Sequence, residues 1–208
     1  MLSTALLLGL VVALVFVLMS FFKKPTPPTP ASPAQNLAQL NITQARVGDA
    51  LSIAGAGTNF ADLEFTVDRR NIDESGGLRW TEVSGLYENR RVTLTVHDDD
   101  ELQVNGALDP VTPALENLGV TEEDLAQLDE QQNSGNVVEY EGKPFHYEWS
   151  REVRHFRDGA GQGEGYYAWQ FREESGSRKL VIRKREGQAF QVSVERQINP
   201  GDISVYRA

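Results

Sequence analysis

Residues 2–22 read LSTALLLGLVVALVFVLMSFF and carry no charge. At about 1.5 Å per residue, a helix of this run spans roughly 30 Å, the thickness of a bilayer's hydrocarbon core. Lipid offers the backbone no hydrogen-bond partners, so such a run must be helical to cross. The sequence therefore predicts a transmembrane anchor over residues 1–24 and a tethered domain after it. A cleaved secretory signal is the competing reading. That signal needs a basic leading region and an apolar core of about 7–15 residues. Here no Lys or Arg precedes the run, and the run is longer. Ser32-Pro33-Ala34 mimics a cleavage site, but it lies well past Phe22 and contains proline. Cysteine is absent, which excludes lipoprotein processing and fits a reducing compartment.

Lys23 and Lys24 follow the run directly. Positive flanks stay cytoplasmic, so the expected orientation is N-terminus outside and domain inside. Residues 25–33 (PTPPTPASP) hold five prolines, the composition of an extended spacer of about 3 Å per residue. With the lead-in up to residue 45 they form a linker, residues 25–45, that holds the domain off the membrane. The domain itself is expected over residues 46–208.

Within that domain the apolar residues recur every second position. Leu63, Phe65 and Val67 alternate with polar neighbours, as do Val92, Leu94 and Val96, and later Phe145, Tyr147 and Trp149. That period marks half-buried strands. Glycine turns separate them, at Ser75-Gly76-Gly77, Glu141-Gly142 and Glu186-Gly187 among others. Between residues 109 and 136 the pattern changes to two short helices, over 113–118 and 121–128. Thr121 is a good N-cap there, and Glu122, Glu123 and Asp124 suit the positive end of the helix dipole. Two β-rich halves, about 46–108 and 137–208, thus flank a helical joint at 109–136. In this alignment of the halves Trp80 matches Trp169. One short meander cannot bury its apolar face alone. The expected fold is mainly β: two antiparallel meanders forming a sandwich or open barrel, joined by the short helical segment.

The formal net charge is −10, and residues 92–142 carry 13 acidic residues with no Lys or Arg. That field disfavours nucleic acid as a partner. It admits a cationic ligand or a basic protein surface, although runs of charge commonly serve only solubility. The acidic helical joint around residues 122–130 is the expected protein contact. Asp98, Asp99 and Asp100 with His97 and Glu101 form the densest polar cluster, and hard cations favour clustered carboxylates. Lying between two alternating strands, the cluster reads as a turn.

Catalytic constellations are missing. No Cys is present for thiolate chemistry, and His97, His146 and His155 show no metalloprotease spacing. Gly159, Gly161, Gly163 and Gly165 lack the lysine and helix of a phosphate loop and read as a flexible hairpin. Trp80, Trp149 and Trp169 could cage a cation, but their alternating positions make them core first. Arg178, Lys179, Arg183, Lys184 and Arg185 could meet anionic lipid, and otherwise read as a solvated edge strand guarded by charge. No catalytic, cofactor-binding or metal-ligating residue is assigned, and no cofactor is expected.

Several short motifs carry a resemblance to a known family. They are Val47-Gly48-Asp49, Phe65-Thr66-Val67 and Trp80-Thr81-Glu82-Val83 in the first half. In the second they are Gly142-Lys143-Pro144-Phe145, Trp169-Gln170-Phe171, Leu180-Val181-Ile182, Glu186-Gly187 and Asn199-Pro200-Gly201-Asp202-Ile203. In order and spacing the chain resembles bacterial domain-of-unknown-function family 4178 over nearly all of residues 47–206. Arg183-Lys184-Arg185 stands where that family often has an aromatic-acidic motif. The resemblance implies a β-rich bacterial domain and supplies no catalytic residues. It also implies company with membrane proteins or polyamine-related genes.

The combined expectation is a single-pass protein of the bacterial inner (cell) membrane, its domain on the cytoplasmic side. It is expected to be a non-catalytic interaction or scaffold domain with a protein partner, a membrane protein being one candidate. A binding module for a small polyamine-like cation or a metal ion is the first alternative. An enzyme using His97 or His146 with carboxylates is the second.

Overall fold

Alternation of apolar and polar residues builds the chain into β-structure along most of its length. In the computed structural model, which describes residues 40–109 and 112–207, eleven strands and one α-helix are formed. The strands of the first half are β1 (Ala50–Ile53), β2 (Leu63–Ser75), β3 (Leu78–Tyr87), β4 (Arg90–Asp98) and β5 (Leu102–Ala107). The helix α1 (Glu122–Gln131) follows. The second half holds β6 (Val137–Tyr140), β7 (Lys143–Phe156), β8 (Glu164–Glu173), β9 (Arg178–Lys184) and β10 (Gln191–Ile198), and β11 (Ile203–Tyr206) ends it. The expected anchor and the proline-rich spacer lie outside the described residues. Among those described, no helix is long and apolar enough to cross a membrane.

The halves do not stack as the two sheets of a sandwich. All eleven strands form one antiparallel sheet, ordered β11-β1-β2-β3-β4-β5-β10-β9-β8-β7-β6, and β2 also pairs with β7. Eight strands from β2 to β7 therefore close partly into a ring. Two short seams join the halves. One pairs Ile72, Asp73 and Glu74 with Phe156, His155 and Arg154. The other pairs Val104, Asn105 and Gly106 with Ile198, Gln197 and Arg196.

Each half keeps its own apolar core on the face turned away from the middle of the ring. In the first, Leu51, Leu63, Phe65, Val83 and Leu94 are buried with Val205 of β11. In the second, Phe145, Tyr147, Trp169, Phe171 and Ile182 are buried under Leu125 of α1. The helix is held there by a capping box, in which Thr121 and Asp124 satisfy each other's backbone N–H. The predicted first helix is a 3₁₀ turn, Leu115–Leu118.

A β-bulge in each long strand places the middle of the ring. The β2–β3 register shifts between Val67 and Arg69, and the β7–β8 register shifts between Tyr147 and Trp149. One extra residue turns every later side chain to the opposite face. Phe145 and Tyr147 thus enter the second core, while Trp149 joins Trp80, Val153 and Tyr166 in a separate cluster. The even alternation of Phe145, Tyr147 and Trp149 had placed all three on one face, and the bulge at Glu148 corrects that.

The same register corrects the match between the halves. Counting from each bulge, Gly85 aligns with Phe171, so Val83 aligns with Trp169 and Trp80 with Tyr166. Trp80 and Trp169 are not equivalent. Trp169 belongs to a core and donates its Nε1–H to the Leu125 carbonyl at 3.0 Å. Trp80 faces the ring.

Candidate ring-interior site

The side chains turned inward by the two bulges are mostly polar, and they are buried. Asp73, Glu82, His155 and Glu195 are all under a tenth exposed. Burial of charge is costly unless it is paired and hydrogen-bonded, and the middle of the ring is arranged accordingly. Asp73 accepts at both oxygens. His155 Nδ1 lies 2.7 Å from Oδ1, and the Tyr166 hydroxyl donates to Oδ2 at 3.1 Å. Burial pushes the Tyr166 hydroxyl well above its ordinary pKa, so it stays a donor.

Arg183, on β9, forms a crossbar in this interior. Its Nη1 lies 2.7 Å from Glu82 Oε1 and its Nη2 lies 3.6 Å from Glu195 Oε1. Burial disfavours its charge, yet Glu82, Tyr166 and Glu195 hold its pKa above the ordinary guanidinium value on balance. Burial raises the Glu195 carboxyl, and Arg183 opposes that rise.

Arg183 lines a cavity on either side of this crossbar. One, of about 690 Å³, opens among Arg69, Arg91, Arg157 and Arg185, with His155 and Glu82 also in its wall. Its cations are largely balanced. Arg91 holds Asp68 at 2.6 Å, and Arg157 and Arg185 both reach Glu164. The other cavity, of about 150 Å³, is walled by Trp80, Trp149, Ala168 and Val181 with Arg151 and Lys179. Arg151 lies over the Trp149 ring at 4.0 Å. His97 stands beside Trp80, ring centres 5.6 Å apart. Burial, and then Lys179, lowers the His97 pKa, which keeps the imidazole neutral.

The residues singled out in the sequence are scattered by this arrangement. Trp80 and Trp149 share a cavity wall and Trp169 does not, so the three rings make no common cage. The segment containing Arg178, Lys179 and Arg183 is not an edge strand: β9 is paired on both sides, by β8 and β10. Arg178 is bound to Glu173 and Glu141. Asp98, Asp99, Asp100 and Glu101 are exposed at the β4–β5 turn, as a turn requires. In the acidic helix, Asp124 closes the capping box. Asp129 accepts from Ser150 and Tyr167, tying α1 to β7 and β8. Burial and the bond to Asp129 push the Tyr167 hydroxyl up to about 12.

His155, Asp73 and Glu82 were not picked out in the sequence. Their ligand atoms lie within 4.8 Å of one another, and all three residues are buried. A divalent ion with bonds near 2.1 Å would hold its ligands roughly 3 Å apart and splayed around it. Here His155 and Asp73 bond each other, and Arg183 already supplies Glu82 with a cation. These residues fit a paired polar interior better than a metal centre. The 82 residues separating His155 from Asp73 left no local signal to find them by.

Fold and site together define a partly ring-closed antiparallel β protein with two apolar cores and a polar middle. No family model, no curated protein and no solved structure matches the chain.

Proposed function

We propose that this chain is a membrane-anchored, non-catalytic binding module whose ring interior holds a small ligand. The cavity of about 150 Å³ carries the reading, because its wall combines two tryptophans with two cations, Arg151 and Lys179, that form no ion pair among the described residues. An interior built only for stability would be filled by apolar packing, since buried charge seldom adds net stability. The apolar run 2–22 and Lys23-Lys24 support a single-pass anchor with the domain on the cytoplasmic side of a bacterial inner membrane. Kinship with domain-of-unknown-function family 4178 belongs to the same proposal, on the order and spacing of its short motifs. A protein partner would meet the exposed carboxylates of α1 that have no local bond, Glu122, Glu123 and Glu130.

The test is native mass spectrometry of the full chain released gently from its membrane, beside an Ala168→Leu variant. Ala168 is buried in the cavity wall, and the added carbons occupy its space. The expected result is a small-molecule adduct on the parent chain that is lost from the variant, with circular dichroism unchanged. A parent chain free of adducts, and indifferent to a library of small molecules, would overturn the reading.

A further inference from the structure

The cations around the small cavity differ in how they are balanced. Arg183 has Glu82 and Glu195. Arg151 and Lys179 form no ion pair with any described residue. The Arg151 Nε is buried with no hydrogen-bond partner. The Trp149 face, 4.0 Å from the guanidinium, offsets part of its charge. For Lys179, Glu195 and Glu148 act only from beyond ion-pair distance. Burial lowers the pKa of both groups, the sign of a cation that lacks its counter-charge. His97 remains neutral between them and adds no negative charge.

The rest of the wall sets shape and polarity. Trp80, Trp149, Ala168 and Val181 present flat and branched apolar surface, and Glu195, the carboxylate in this wall, has Arg183 as its counter-charge. A cavity near 150 Å³ is about the size that takes a benzene-like molecule. A free cation of similar size would meet Arg151 and Lys179 unscreened. A neutral one would leave both unpaired.

We infer that this cavity binds a small monocarboxylate with a flat apolar body, its carboxylate paired with Arg151 and Lys179 and its body against Trp80 and Trp149. The inference rests on the ring being a ligand site and adds the class of ligand. It reverses the sign expected from the acidic sequence, because the acidic excess of residues 92–142 is mostly exposed while the two cations without an ion pair line the cavity.

The test is calorimetric titration of the full chain in detergent with sodium benzoate, benzyl alcohol, benzylamine and sodium acetate. Benzoate should bind, with acetate and benzyl alcohol each weaker by about tenfold or more, as expected for loss of the apolar body or of a charged hydrogen bond. Benzylamine should not bind. Arg151→Gln and Lys179→Gln should each weaken benzoate about tenfold or more. Both should melt at the same temperature as the parent or higher, since each removes a half-buried charge that has no ion-pair partner among the described residues. A merely structural role would lower the melting temperature of both. Preference for benzylamine or benzyl alcohol would overturn the carboxylate inference while the ring stayed a ligand site. Absence of benzoate binding, or full benzoate affinity in both variants, would also overturn it. Only a chain that took up none of the probes and carried no native adduct would remove both readings.

Discussion

Glu173 shows how a single buried charge can be tolerated. Its side chain is nearly inaccessible, yet Arg178 and Lys143 both reach it, at 3.3 and 2.9 Å. Ser175 and Ser177 donate to the same carboxylate. Arg178 first, then Lys143, hold its pKa well below the ordinary glutamate value of 4.5. A depressed carboxylate stabilises the fold fully above its unfolded pKa, and that contribution fades as pH falls toward the folded value. Stability should therefore decline from about pH 5 downward in the parent chain. Glu173→Gln should cost about 1–3 kcal/mol at neutral pH, through donors left unsatisfied. The variant should show a flatter decline in acid. Urea melts of both chains from neutral pH to pH 3 would check this, and parallel curves would show that the carboxylate's charge is not what matters. Gly85 makes a different residue-scale demand. A Cβ there would collide with the Thr66 carbonyl oxygen and the Phe65 ring, so only glycine lets β3 pair with β2 beside the bulge.

Among the elements, the two bulged strands matter most. Strand β7 presents Phe145 and Tyr147 to one core, then Trp149 and Arg151 to the ring. The one-residue shift between Tyr147 and Trp149 makes the exchange. Inserting one alanine after Trp149 would shift the later residues of β7 by one and drive Arg151 toward the apolar core. A partly buried guanidinium would then come opposite Tyr167 beside Trp169 of the second core, a strongly unfavourable placement. The expected outcome is a chain that loses cooperative unfolding and binds no ligand. Replacing Glu148 with Ala keeps the bulge. That change should preserve cooperative unfolding, although it removes the side-chain bonds to Gln170 and Arg172. Calorimetric melts of the two variants separate register from side-chain chemistry, and a cooperative transition in the insertion variant would count against register as the organising device.

At the scale of the whole molecule, the chain's last strand completes its first core. β11 pairs with β1 along Ile203–Tyr206, and Val205 is fully buried beside residues of β1 and β2. Truncation after Ile198 would expose the β1 edge and remove Ile203 and Val205. At about 1.5–3 kcal/mol for each buried branched side chain, the loss is roughly 3–6 kcal/mol. The truncated chain should melt markedly lower and associate through the freed edge. Unchanged melting and a monodisperse elution profile would show that β11 is dispensable. Ring closure depends on the same long-range economy, with three residue pairs at each seam joining two halves that each have a core of their own.

Strand content, most turns and the helix cap were legible in the sequence because they are local. Period-two burial, glycines with positive φ at Gly76 and Gly77, and the Thr121 cap act within a few residues of one another. The cores were legible for the same reason: Leu63, Phe65, Leu94, Leu180 and Ile182 lie where alternation put them. The polar interior was not, because its central contacts join residues from different halves of the domain. Asp73 meets His155, and Arg183 meets Glu82, only once the seam between β2 and β7 has formed. Nor does composition announce a bulge: a single residue near Asp68 and another near Glu148 exchange the faces of two strands without altering hydrophobicity. Local periodicity thus determined which segments are strands and which residues are apolar core. Tertiary pairing alone decided that the sheet closes, that Trp80 and Trp169 part company, and that two cations are left facing a cavity in an acidic protein.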